Sequence, residues 1–249
     1  MEFFLFLIIG LLVGYIGGYA GIGGAPFLVG LLVLFLGVSQ FEAQGTVLAM
    51  MMGPMSLLGV MTMRKEIFAQ WKSIVVGVLS YAFFSYFGAE LAFSIGESLI
   101  QIYFAILLII IALLQFIPSD FFKNDIQQVE SIHPLWMFII GSVTGIIGGL
   151  FGIGAGVLMI PVFMSIFHLK KEYARALSLA ILLPPVSLGA FIKYYQEGVV
   201  DWSIAVILFI AYFVANYFGA KQGSKASTGI FKIVYGVLLI ITAVIYFFS

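Results

Sequence analysis

Shifted by 131 residues, so that Gly14 stands against Gly145, the chain aligns with itself without a gap as far as Ala112 against Ala243. Roughly 27 of the ~99 pairs are identical, a fixed-offset internal repeat. The identities fall where they constrain backbone. Gly14, Gly17, Gly18, Gly21, Ile22 and Gly23 match Gly145, Gly148, Gly149, Gly152, Ile153 and Gly154. Pro54, Ser56 and Leu57 match Pro185, Ser187 and Leu188; Trp71 matches Trp202; Tyr86–Ala89 matches Tyr217–Ala220. The chain must build one helical unit twice, residues 1–117 and 134–249, joined by a polar linker at 118–133.

Composition says where the units reside. Hydrophobic residues make up 63% of the chain, charged residues 9%, and mean hydropathy is +1.20. Soluble domains carry about 25% charged residues, so this is an all-α polytopic membrane protein in contact with the lipid bilayer. Eleven basic and eleven acidic residues leave no net charge for nucleic acid. Without cysteine, and with two histidines, nothing marks a metal site, a cofactor or a catalytic residue. The first segment lacks a basic start and a cleavage site, so it does not read as a signal peptide.

A full span needs about 20 apolar residues. Segments 43–63, 71–93, 98–117, 173–193, 202–220 and 229–248 meet this, three in each half. Segments 3–17 and 25–37, and their equivalents 134–148 and 156–168, are too short singly and too long in pairs. Each pair is interrupted by a glycine cluster, which predicts a re-entrant helical hairpin in each half. Short broken hydrophobic segments in matching places of two halves point to a transporter site.

Charge sets the relative direction of the halves. Arg64, Lys65 and Lys72 correspond to Tyr195, Gln196 and Ser203, whereas Glu90 and Glu97 correspond to Lys221 and Thr228. Basic residues mark cytoplasmic loops. Placing 64–72, 118–133, 168–175 and 221–232 inside leaves only Lys193, of the eleven basic residues, outside. Both termini are then outside, and the repeats have inverted topology. Trp71, Trp136 and Trp202 sit at segment starts as interface anchors.

Gly10, Gly14, Gly18 and Gly141, Gly145, Gly149 have the spacing of close helix packing. The remaining glycines break the helices, and Pro26 suits the first turn of a new one. No alternating strand precedes either cluster, which excludes a dinucleotide fold. Opposed tips near the midplane would aim two helix N-termini, with their free N–H groups and positive half-dipoles, at one point. Such a site suits a small anion. The tip residues are Gly21, Ile22, Gly23, Gly24 and Ala25 in the first half, and Gly152, Ile153, Gly154, Ala155 and Gly156 in the second. Neutral donors are Gln44, Thr46, Ser56, Ser178 and Ser187, each hydroxyl having its own helix backbone as the competing partner. Arg175 stands where Gln44 does and either guards the inner mouth or marks topology. Glu90 reads as interfacial, His168 as a loop residue, and Met50–Met52 with Met55 as adaptable packing.

Gly21–Gly24 with its following apolar helix, and Gly152–Gly156 leading to Pro161, resemble the motifs of the sulfite exporter TauE/SafE family of permeases. The likeness covers nearly the whole chain. Ala25 with Pro26, and Ala155, depart from the family's usual run of glycines and leave the substrate open. The resemblance implies a secondary permease for sulfite, sulfoacetate or related sulfur anions in a bacterial inner membrane. Proton coupling, direction and oligomeric state stay open. Rival readings are a passive small-anion channel of the same architecture, a membrane-embedded enzyme, and a transporter subunit needing a separate ATPase.

Overall fold

The computed structural model describes residues 2–20, 24–62, 67–68, 70–116, 131–154, 156–169, 171–183, 185–223, 236–237 and 239–244. Among these the first half contains α1 (Glu2–Ala20), α2 (Ala25–Leu36), α3 (Gln40–Met50), α4 (Leu57–Thr62), α5 (Trp71–Ile95) and α6 (Glu97–Phe116). The second contains α7 (Pro134–Phe151), α8 (Gly156–Ser165), α9 (Lys171–Leu182), α10 (Leu188–Gln196) and α11 (Trp202–Gly223), with further helical residues at 236–237 and 239–244. The starts of α2, α4 and α5 fall 131 residues before those of α8, α10 and α11. The central linker lies outside the described residues apart from 131–133.

Among the described residues, three helices are long and apolar enough to cross a membrane: Trp71–Ile95, Pro134–Phe151 and Trp202–Gly219. Their outward faces carry exposed Leu79, Phe83, Phe87, Val206, Ile210 and Val214. Apolar exposure on that scale fits a lipid surface.

Two expectations on segment length are corrected. Residues 43–63 and 173–193 are not unbroken spans; α3 stops at Met50 and α9 at Leu182. Pro54 and Pro185 lack the N–H that would continue the ladder, and a proline ring clashes with the carbonyl four residues back. The freed groups pair locally instead: Met52 N–H bonds Ala49 O, Gly53 N–H bonds Met50 O, and Leu183 N–H bonds Ala180 O. Each half therefore has one broken segment, at the same place in the repeat. Conversely, the first segments are longer than expected, running Glu2–Ala20 and Pro134–Phe151. At 1.5 Å per residue they reach about 28 and about 27 Å, close to the hydrocarbon thickness.

The two main seams each join one half to the other. Gly10, Gly14 and Gly18 of α1 lie against Ala211, Tyr212 and Asn216 of α11, and Gly219 of α11 lies against Tyr15 and Tyr19. Gly141, Gly145 and Gly149 of α7 lie against Ser80, Tyr81 and Ser85 of α5, and Gly88 lies against Ile146. In most of these contacts the neighbour is main chain, so only hydrogen fits; this is the close packing expected of both glycine rows. In both seams residue numbers rise together, so the paired helices run parallel.

At the end of α7 the chain turns through Gly152, whose φ of 65° is left-handed and whose N–H returns to Gly148 O. Gly154 follows at φ 69°. At the matching place in the first half, Gly24 packs back against Val13 and Gly17 of α1 before α2 begins with proline in its first turn.

Candidate functional site

Both helix starts open onto one cavity. Gly24 and Ala25, at the head of α2, line it with Ile153 and Gly156, at the head of α8. Gly17 of α1 and Tyr212 and Asn216 of α11 form a third wall. Met51, Met55 and Ser56, from the break after α3, face Leu179 and Leu182 at the end of α9. The four interruptions in the helical pattern thus converge. The cavity measures about 20 Å³, room for about one water.

Among the described residues, no Lys, Arg, Asp or Glu lines this space. Its polarity comes from two helix N-termini, whose first N–H groups have no partner within their own helix, and from Ser56, Tyr212 and Asn216. The Tyr212 hydroxyl is hydrogen-bonded to the Asn216 side chain and the Gly24 main chain. Ser56 Oγ donates to Leu179 O at 2.8 Å. Leu183 N–H has turned to Ala180 O, and Ser56 caps the carbonyl it leaves. The hydroxyl thus bonds across the halves and not to its own helix. Its one proton is committed, so it offers the cavity an acceptor and not the expected donor.

Of the residues expected at the site, Gly24, Ala25, Ser56, Ile153 and Gly156 line the cavity. Gly21, Ile22, Gly23 and Ala155 lie outside the described residues. Gly154 sits behind the wall against Met51. Gly152 lies against Gln44, whose Oε1 accepts from the Tyr194 hydroxyl at 2.5 Å and whose Nε2 has no partner. Thr46 Oγ1 accepts from Asp201 N–H at 3.0 Å, which ties α3 to the turn before α11. Ser178 and Ser187 are fully buried with unpartnered hydroxyls, away from the cavity lining. His168 is a loop residue between α8 and α9, and Glu90 is exposed on α5.

Tyr212 and Asn216 escaped the sequence reading. A signal existed: Tyr212 is identical to Tyr81 at the repeat offset, and Asn216 is an amide inside an apolar 22-residue helix.

Residues 6–246 match the profile of the Sulfite exporter TauE/SafE family. The chain belongs to the TauE/SafE family. Two similar relatives carry the names "Probable membrane transporter protein YdhB", from Bacillus subtilis, and "Probable membrane transporter protein MJ0441", from Methanocaldococcus jannaschii. The first is 30% identical over 220 residues, 87% of this chain and 89% of the relative. The second is 30% identical over 241 residues, 90% of this chain and 87% of the relative. "Probable membrane transporter protein YunE" of Bacillus subtilis is 25% identical over 263 residues, covering 97% and 96%. No solved structure matches the chain. TauE/SafE proteins are membrane transporters and not enzymes, so this is a multi-pass membrane protein acting on a small-molecule substrate.

Proposed function

We propose that the chain is a secondary permease for small sulfur-containing anions, such as sulfite or organosulfonates, working by alternating access around the cavity between the two glycine breaks. The observation that carries this reading is the single cavity walled by the heads of both α2 and α8. Two positive half-dipoles meeting where no charged side chain of the described residues intrudes favour an anion by electrostatics alone. Sulfur enters from the family description. A cavity of about 20 Å³ is smaller than such an anion, so its walls must part to admit one.

The halves are read as inverted repeats, with both termini outside and a bacterial cytoplasmic membrane as the setting. Helix directions support the inversion. α1 runs parallel to α11, and α7 parallel to α5. α10 also runs along α5, with Gly189 beside Ala82 and Tyr194 beside Phe93. α11 turns back on α10, as Trp202 packs on Phe191 and Tyr195. On that reading α11 runs antiparallel to α5, and α1 to α7, as inverted repeats require.

The test is flux into proteoliposomes for sulfite, taurine, isethionate, sulfate, acetate and chloride, with thermal stabilisation of the purified protein by the same panel. Saturable, gradient-driven flux of the sulfur anions, each also raising stability with the logarithm of its concentration, is expected. Flux linear in concentration would make it a channel. Equal stabilisation by acetate would keep the anion site and remove the preference for sulfur.

A further inference from the structure

We propose that Tyr212 and Asn216 hold the oxyanion of the substrate, which therefore sits against the second repeat and not on the axis between the two. The assignment rests on the anion reading of the cavity.

Among the described residues, three polar side chains reach the cavity: Ser56, Tyr212 and Asn216. Ser56 has given its proton to Leu179 O, so it turns only lone pairs inward and repels an oxyanion. Tyr212 and Asn216 are of the opposite polarity. Both are buried, at 2% and 6% exposure. The phenolic oxygen is hydrogen-bonded to the Gly24 main chain and the Asn216 side chain, and we assign the donor role in both bonds to their N–H groups. With two donors on its lone pairs, the hydroxyl keeps its own proton to give, and the wall it belongs to is the cavity's. Hydrogen bonds in series polarise one another, so this proton is a better donor than an isolated phenol's. Gly24 is the N-cap of α2. The positive end of that helix thus acts on the anion through Tyr212 as well as through space. Asn216 has a second amide N–H for the same ligand.

The first half has the same tyrosine and not the same site. Tyr81 stands at the position of Tyr212, with its hydroxyl against Gly148 as that of Tyr212 is against Gly17. Among the described residues it lies outside the cavity lining and its hydroxyl has no hydrogen-bond partner. Where the second half has Asn216, the first has Ser85, whose Oγ donates to Ala82 O at 2.9 Å and accepts from Ala190 N–H at 3.1 Å. Ser85 has no proton left for an anion, and Tyr81 is not among the residues that line the cavity.

Dissociation constants for sulfite and taurine, measured by thermal stabilisation, would be compared among the native protein, Tyr212→Phe, Asn216→Ser and Tyr81→Phe. Hydrogen bonds to a charged group are the strong ones, so Tyr212→Phe and Asn216→Ser should each weaken binding about tenfold or more. Tyr81→Phe should bind as the native protein does. The ligand-free unfolding temperature of each variant, and saturable flux in liposomes with a raised KM, separate lost contact from lost fold. Native-like affinity in Tyr212→Phe, or equal loss in Tyr81→Phe, would overturn the assignment. If Tyr212→Phe does not fold, Asn216→Ser decides alone by the same criterion. If the native protein binds no anion of the panel, the anion reading fails and takes this assignment with it. Native binding with unaffected variants would sink the assignment only.

Discussion

In the first half, Ser56 spans to the second and caps Leu179 O; in the second half, Ser187, its equivalent at the repeat offset, is buried with no partner among the described residues. The mirror acceptor exists, since Leu48 stands where Leu179 does and its carbonyl is likewise left over, Met52 N–H having turned to Ala49 O. The same split divides Tyr212, bonded at the cavity, from Tyr81, unpartnered at the opposite seam. The seam glycines show no such split. Gly14, Gly18 and Gly88 recur as Gly145, Gly149 and Gly219, and each lies against main chain of the partner helix. Where backbone touches backbone, only a residue without Cβ fits and both copies must keep it. Where a side chain makes the contact, the copies differ in residue or in bonding. The scaffold is twofold and the site is not.

The seams offer the sharpest way to break this comparison. A Cβ on Gly149 would press on Ser85 O and Ala89 N, and one on Gly18 on the main chain of Asn216. Neither neighbour can step aside. Gly18→Ala and Gly149→Ala should each lower stability by about 3 kcal/mol, the upper part of the range for overpacking. Unfolding in detergent, followed by denaturant or heat, measures both. A large loss in one variant and none in the other would end the claim that the seams are equivalent.

A smaller effect probes a contact that exists in one half only. Tyr194 gives its proton to Gln44 Oε1, and both side chains are fully buried. At the repeat offset the pair becomes Met63 and Arg175, so the bond has no counterpart. Tyr194→Phe strands a buried amide oxygen and should cost about 2 kcal/mol. A neutral result would mean that Gln44 turns to another partner once released.

How much of this could be read beforehand divides along the same line. The repeat, the two glycine rows and the interruptions at residues 21–24 and 152–155 are patterns of backbone permission, and glycine and proline write them into the sequence. Pro54 and Pro185 mark where two helices weaken; that the helices break there follows from the local pairing around Gly53 and Leu183. Which helix meets which was not legible, because an apolar face fits lipid as well as it fits a neighbour. The role of Ser56 was missed because its acceptor, Leu179 O, is a carbonyl freed by a break 123 residues further on. Asn216 went unnoticed since an amide in an apolar helix gains meaning only when Tyr212 and Gly24 are beside it.

Ser56 and Ser187 give the next test. Ser56→Ala removes the donor from Leu179 O and should cost about 1 kcal/mol. Ser187→Ala deletes a buried hydroxyl that bonds nothing, and should change stability by less than about 0.5 kcal/mol or raise it. Equal losses in both would mean that Ser187 makes its bond to Leu48 O in solution, and the two halves would then be alike at this point.

The smallest effect concerns backbone that both halves share despite different residues. α2 ends at Gly37, φ 63°, and the next N–H, that of Val38, reaches back to Leu32 O. After α8 the equivalent residue is His168, φ 50°, and Leu169 N–H reaches back to Phe163 O. The same left-handed turn is made once by glycine and once by a residue whose Cβ resists it, at roughly 1 kcal/mol. His168→Gly relieves that strain but frees the unfolded chain, which takes back about 0.5 kcal/mol. A net gain of about 0.5 kcal/mol is expected. Gly37→His should lose about 1 kcal/mol, even though nothing lies within 4 Å of the position its Cβ would occupy. Opposite signs for the two exchanges would tie the effect to backbone conformation. A loss from His168→Gly would instead assign the half-buried imidazole a contact worth more than the strain it carries.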